Sequence, residues 1–359
     1  MPRSADNKYL NYFAIFTALA ALLLIAMGGL VTSHEAGLAV PDWPTTYGYN
    51  MFLFPISQWK GGIFYEHTHR LMASGVGLLT VILAIWLWVK EPRAWLRWLG
   101  VTACFLVVLQ GVLGGLRVVA LKDAIGIFHA ALAQLFLAVL CAIALFTSRW
   151  WRQLQPAATG APASAGLARL FLAGTLIIFA QLMIAATMRH QHAGLAIPDF
   201  PLAYHKLWPA MDAASVQSYN ANRSELLGEK PITAFQIGLQ MAHRLMALLI
   251  LCAVGWCAWQ ARRQLGARHS LARLALVWLG FIGLQIILGA STIWTNKAAD
   301  VATAHVVVGA VSLVTGALLT IVSFRVLIPA RAAESVAGES AQSGFAPGKP
   351  AASAWRGTN

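Results

Sequence analysis

Four histidines of this chain, His69, His129, His243 and His305, lie inside long apolar stretches. Neutral imidazole is a ligand for zinc, copper and iron. A polar ring within a membrane-spanning helix is costly, and such residues usually mark function. A lone histidine there can simply hydrogen-bond a neighbouring helix, but two matched pairs are harder to explain that way. No carboxylate or thiolate accompanies both pairs, which weakens zinc and non-haem iron. Two imidazoles from different helices of an apolar bundle suit a haem, whose macrocycle occupies the space between helices.

The pairs match because the chain repeats itself. Ala36-Gly37-Leu38-Ala39-Val40-Pro41-Asp42-Trp43-Pro44 returns as Ala193-Gly194-Leu195-Ala196-Ile197-Pro198-Asp199-Phe200-Pro201, and His69-Arg70-Leu71-Met72-Ala73 returns as His243-Arg244-Leu245-Met246-Ala247. His129 has its counterpart in His305. The offsets are 157, 174 and 176 residues, so one insertion separates the first landmark from the others. Gln110 matches Gln285, and both are expected to hydrogen-bond between helices.

One position breaks the match. Three residues before His69 stands Glu66, and three before His243 stands Gln240. Positions three apart share a helix face, so Glu66 is expected one turn from His69, towards the outer surface. A carboxyl there is suited to act as a base beside a porphyrin edge, whereas glutamine cannot ionise. The plainer alternative is that Glu66 begins a helix, where its charge favours the dipole. Arg70 and Arg244 directly follow two of the histidines. They are candidate partners for haem propionates, or they snorkel to the interface.

The elements that must position these residues follow from composition. Of 359 residues, 58% are hydrophobic and 11% charged, against about 25% charged in a soluble domain; the mean hydropathy is +0.66. Apolar runs near 12–33, 66–89, 95–116, 125–147, 168–189, 237–260, 271–293 and 301–327 each approach the roughly 20 residues that cross a bilayer. Unpaired backbone is forbidden in lipid, and a barrel would show short alternating strands. The fold class is therefore all-α integral membrane. Eight transmembrane helices are expected as two tandem four-helix bundles related by pseudo-twofold symmetry. The first run is expected to be a true span, not a cleaved signal. Gly75, Gly77, Gly111, Gly114 and Gly115 are expected to make room within the first bundle.

The net charge of +13 raises a nucleic-acid partner, but its distribution argues for none. Sixteen of the 26 Lys and Arg fall on one side of the alternating topology. This positive-inside bias places the N- and C-termini in the cytoplasm, with the basic residues meeting lipid headgroups. A bacterial inner membrane is the simplest location. Every even-numbered span then starts at the outer face, so the four histidines share one depth near the periplasmic side. Cys104, Cys141, Cys252 and Cys257 are read as small buried hydrophobes. Aromatic residues crowd the first outer loop, which is expected either to lie on the bilayer surface or to cover an apolar ligand. The expected organisation is a first four-helix repeat at 1–152, a flexible cytoplasmic linker at 153–167, a second repeat at 168–328 and a disordered tail at 329–359.

With Glu66-His67-Thr68-His69-Arg70, the eight-span duplication, and His129, His243 and His305, the chain resembles the haem A synthase family over nearly its whole length. That resemblance implies oxidation of a ring methyl of haem O to a formyl group, the product serving terminal oxidases. It implies that Glu66 is the essential glutamate, that His69 and His129 bracket the substrate haem in the first repeat, and that His243 and His305 ligate a haem b cofactor in the second. The chain departs from some bacterial members in carrying no cysteine pair in an outer loop, so a mechanism requiring that pair cannot operate here.

Two other classes stay open on the residues alone. A quinol-linked di-haem b-type electron carrier explains the histidines but gives Glu66 no task. A haem-handling transporter or chaperone explains the outer aromatic residues, although Asp42-Trp43-Pro44 imitates a tryptophan-rich haem motif poorly. No nicotinamide or flavin fingerprint is present. An unidentified electron donor is therefore expected, with membrane lipid; the resemblance implies haem O and its supplying synthase as further partners, and a homo-oligomer is compatible with the sequence.

Overall fold

A computed structural model describes residues 7–155, 165–222 and 231–328. Of the linker expected at 153–167, residues 156–164 fall outside them, as does the tail expected at 329–359; at the linker's ends, Gln153 closes one helix and residues 165–167 open the next. Ten helices follow in order: α1 (Lys8–Ser33), α2 (Gly62–Lys90), α3 (Ala94–Ala120), α4 (Asp123–Thr147), α5 (Arg149–Gln153), α6 (Ala165–His190), α7 (Ala213–Ala221), α8 (Ala234–Leu265), α9 (Ser270–Trp294) and α10 (Ala299–Leu327). All but α5 and α7 are long and apolar enough to cross a membrane, giving eight candidate spans. Among the described residues there is no strand, only isolated bridges at Thr46–Tyr49 and Ala203–Lys206.

The helices outrun the apolar stretches because polar residues cap and extend them. Asn7 starts α1 by accepting from the Leu10 amide at 3.0 Å. Thr233 and Gln236 form a reciprocal capping box at the start of α8, satisfying two amides that otherwise lack partners. Gly266, with φ of 86°, ends α8 in a conformation few side-chain-bearing residues adopt. Within the spans, the buried Thr17, Thr80 and Thr175 turn their hydroxyls back to carbonyls one turn earlier, at 2.7–2.9 Å, so each of these hydroxyls has its partner.

α1, α2, α3 and α4 pack in a cycle, α1 on α2, α2 on α3, α3 on α4 and α4 on α1. α6, α8, α9 and α10 pack in the same cyclic order. Between the two groups α1 meets α10, α4 meets α6, and α4 meets α10. Small residues set the closest approaches. A Cβ on Gly174 of α6 would lie 2.9 Å from the Trp278 ring, and one on Gly316 of α10 would lie 2.6 Å from it. The fully buried indole of α9 therefore fits only because both neighbours are glycine, and its Nε1 donates to Ser312 O at 2.8 Å.

The cysteines depart from expectation. Only Cys257 is buried; Cys104 and Cys141 are partly buried, and Cys252 is exposed. Thiol and methyl-sized side chains are tolerated on a lipid-facing surface, so hydropathy alone did not separate the inward from the outward face.

Candidate functional site

The four histidines occupy corresponding places, in the second or third turn of α2, α4, α8 and α10. The Nδ1 of every one is buried and lacks a hydrogen-bond partner. Four orphaned ring nitrogens are expensive in a dry interior unless a ligand orders the rings. Their backbones are fixed by glutamines. Gln110 of α3 donates to His129 O at 3.0 Å, Gln285 of α9 to His305 O at 2.8 Å and Gln181 of α6 to His243 O at 2.9 Å. The first two are the matched pair expected between helices.

Glycines let neighbouring helices approach the rings. A Cβ on Gly28 would sit 3.1 Å from His69 Cε1, one on Gly114 would sit 3.4 Å from His129 Cε1, and one on Gly289 would sit 3.3 Å from His305 Cε1. Of the glycines expected to make room, Gly114 faces a histidine and Gly115 faces Trp43, whereas Gly75, Gly77 and Gly111 meet nothing within 4 Å.

The ring centroids of His243 and His305 stand 6.4 Å apart. Two metal–imidazole bonds of about 2.0–2.1 Å, plus roughly 1.1 Å from each nitrogen to its ring centre, give roughly 6.3 Å. The pair is thus spaced for one metal ion between two rings. Among the described residues no three His, Cys, Asp or Glu side chains group to hold a metal. Two protein ligands and no third suit a metal whose remaining positions a macrocycle fills.

Glu66 and Gln240 superimpose in function. Glu66 is buried, with its Oε2 accepting from the Val40 amide at 2.8 Å and its Oε1 from Arg70 Nη2 at 2.6 Å. Gln240 is also buried, and its Oε1 accepts from the Ile197 amide at 2.6 Å. Val40 and Ile197 are themselves repeat counterparts. Each side chain therefore pins its outer loop to the helix carrying the first histidine of the pair. The expectation that Glu66 lies a turn from His69 holds; its role as a mere helix-starter does not, since α2 begins at Gly62.

Arg70 and Arg244 also hold the loops. Arg70 donates to Val40 O, Asp42 O and Thr45 O at 2.6–3.1 Å as well as to Glu66. Arg244 donates to Asp199 O at 2.7 Å and Leu202 O at 2.8 Å, which are the counterparts of Asp42 and Thr45. Both arginines thus clamp their loops, because five guanidinium donors satisfy a turn's inward carbonyls better than any neutral side chain.

The loops share one framework. Asp42 accepts from the Tyr47 amide at 2.7 Å and the Gly48 amide at 2.9 Å, and Asp199 accepts from Tyr204 at 2.7 Å and His205 at 2.8 Å. Both loops carry a cis X-Pro bond, at Trp43-Pro44 and Phe200-Pro201. The first loop alone is anchored by Trp43, whose indole lies where a Cβ on Gly115 would fall 2.3 Å away. It is also tied by His67, fully buried between Phe54 and Trp59 and within 3.2 Å of the Thr46 hydroxyl.

Three residues escaped the sequence reading. His67 faces the first loop. Arg117 is an electrostatic neighbour of both His69 and His129, and Arg189 of His305. The missed signal was the repeat itself, since both arginines stand where the other repeat has threonine.

Comparison with known proteins gives one consistent result. The model of the COX15-CtaA family, described as a cytochrome oxidase assembly protein, matches residues 11–317. A protein of Geobacillus kaustophilus named Heme A synthase is 26% identical over 356 residues, covering 93% of this chain and 98% of its own. One of the same name from Shewanella oneidensis is 27% identical, covering 82% and 91% respectively. A third, from Shouchella clausii, is 26% identical, covering 79% and 88%.

Proposed function

Because this chain belongs to the COX15-CtaA family of cytochrome oxidase assembly proteins, we propose that it is a haem A synthase, a multi-pass membrane oxidoreductase that converts a ring methyl of haem O to a formyl group. The observation that carries this reading is the asymmetry of two otherwise matched sites. Both have paired histidines and a clamped loop, but only the first has a carboxylate, Glu66, where the second has Gln240.

In this reading residues 1–152 form the substrate half and 168–328 the cofactor half, as two four-helix bundles about a pseudo-twofold axis. The crossed contacts support the axis: α1 on α10 and α6 on α4 exchange under it, and α4 meets α10 at its centre. The termini lie in the cytoplasm and the loops and histidines towards the periplasm, following the basic bias of the opposite loops.

His69 and His129 hold the substrate haem O, and His243 and His305 hold a haem b. The orphaned Nδ1 atoms support both pairs, and the 6.4 Å spacing supports the His243–His305 pair. Haem b, when bound, supplies one-electron transfer. The protein does the rest by position. The methyl passes through an alcohol to a hydrated aldehyde; each step inserts one oxygen atom, either from dioxygen with two electrons and two protons supplied by a donor, or from water with two electrons and two protons released to an acceptor, and loss of water leaves the formyl group. Glu66 presents fixed negative charge or a proton acceptor near the substrate. Its two oxygens already accept from Val40 and Arg70, so it is immobile, and preorganised charge is the more effective kind. The loop excludes water above it. Haem O comes from a supplying synthase in the same membrane, and electrons pass to or from a separate partner.

The test is coexpression with a source of haem O, followed by chromatography of the extracted haems. The wild type yields haem A. Bound haem without any haem A identifies an electron carrier instead and overturns the proposal.

A further inference from the structure

Arg189 sits in the last turn of α6. Its Nη2 donates to Gly29 O and to Ser33 Oγ of α1, each at 2.6 Å, and its Nε is buried with no hydrogen-bond partner. Its hydrogen-bond acceptors are neutral, and its electrostatic neighbour is a second cation, Arg117. Arg117 lies under the first loop, its Nη1 2.8 Å from where a Cβ on Gly37 would stand. The aligned positions in the other repeats are Thr32 for Arg189 and Thr292 for Arg117, so both cations are additions to the shared framework.

Two guanidinium groups kept near one another inside a membrane bundle repel and lose hydration. An anion beside Arg189 relieves both of its costs, and a guanidinium matches a carboxylate in shape as well as charge. Arg244 also has an unpartnered buried Nε, but it already clamps its loop and has Asp199 as an electrostatic neighbour. Arg189 holds only a carbonyl and a hydroxyl of α1, and it neighbours His305.

We propose that Arg189 binds a propionate carboxylate of the tetrapyrrole held by His243 and His305, with Arg117 adding positive potential beside it. This rests on the haem reading above. It also places the propionate edge of that ligand against α1, at the seam between the two groups of helices.

The experiment titrates full-length protein, purified without haem, with haem b and with haem b dimethyl ester, following the Soret band. The wild type binds the free acid about tenfold more tightly than the ester, as one charge-assisted hydrogen bond implies. Arg189→Gln, which retains a donor for Gly29 O, loses that preference while its affinity for the ester is unchanged. Arg189→Lys, which retains the charge, keeps most of it. Equal weakening towards acid and ester in Arg189→Gln, or an undiminished preference, overturns the inference and leaves the haem reading intact. Failure of the wild type to bind either form overturns the haem reading and this inference with it.

Discussion

Glu66 and Gln240 occupy the same place in the two repeats, each accepting a hydrogen bond from the amide of the matching loop residue, Val40 at 2.8 Å and Ile197 at 2.6 Å. The chain thus contains its own control for the substitution of a carboxylate by an amide. Glu66→Gln installs a side chain that the second repeat already accommodates against the same loop.

The first prediction follows directly. Glu66→Gln folds, inserts and keeps its bound haem b, but haem A formation falls by about 10²-fold or more, the scale of a lost general acid–base group. Haem extraction and chromatography read both quantities from one sample. Undiminished haem A would restrict Glu66 to holding the loop.

The two histidine pairs separate by readout. His243→Ala or His305→Ala removes the low-spin absorbance of the resident haem b. His69→Ala or His129→Ala leaves that absorbance and abolishes haem A. Loss of haem b from the first-repeat variants alone would reverse the assignment of the two sites.

Arg70 and Arg244 differ in what they leave behind. Arg70→Ala strands a carboxylate whose side chain is only 5% exposed, and breaking a buried pair costs about 3–5 kcal/mol. Arg244→Ala strands the carbonyls of Leu202 and Asp199, so a smaller loss is expected. Thermal unfolding in detergent should rank Arg70→Ala below Arg244→Ala; the reverse order would show that the Glu66–Arg70 pair contributes little.

The first loop is sensitive to acid through Asp42. Partial burial raises the pKa of this carboxyl, but hydrogen bonds from Gly48, Thr45 and Tyr47 outweigh it and hold it below the ordinary 3.8. A folded value below the unfolded one stabilises the loop above the ordinary carboxylate range, and that stability is lost as pH falls through the depressed value. Quenching of Trp43 fluorescence should therefore rise below about pH 4, and Asp42→Asn should remove the transition. An identical acid transition in Asp42→Asn assigns it to another group.

Gly115 is the seat of Trp43. Gly115→Ala places a methyl 2.3 Å from the present indole position, so the ring must move and the loop with it. A cost of about 1–3 kcal/mol is expected from overpacking, with a shift in tryptophan emission. An unshifted spectrum and stability would mean that the loop does not depend on this contact.

The sequence by itself determined the spans, the duplication, the four histidines and the mismatch at Glu66. Those are properties of composition and of order along the chain: lipid requires long apolar helices, and a repeat is visible wherever two segments agree. It left the direction of side chains undecided. Arg70 and Arg244 looked equally fit for a ligand or for the interface, and only the folded loops, with their inward carbonyls at Asp42, Thr45, Asp199 and Leu202, assign them as clamps. Arg117 and Arg189 differ from the other repeat, but what they reach is set by which elements meet, α3 beside α4 and the end of α6 within a side chain of α1. A pattern within one helix fixes a face, but the neighbour of that face is chosen by packing across more than a hundred residues, and that is decided only in three dimensions.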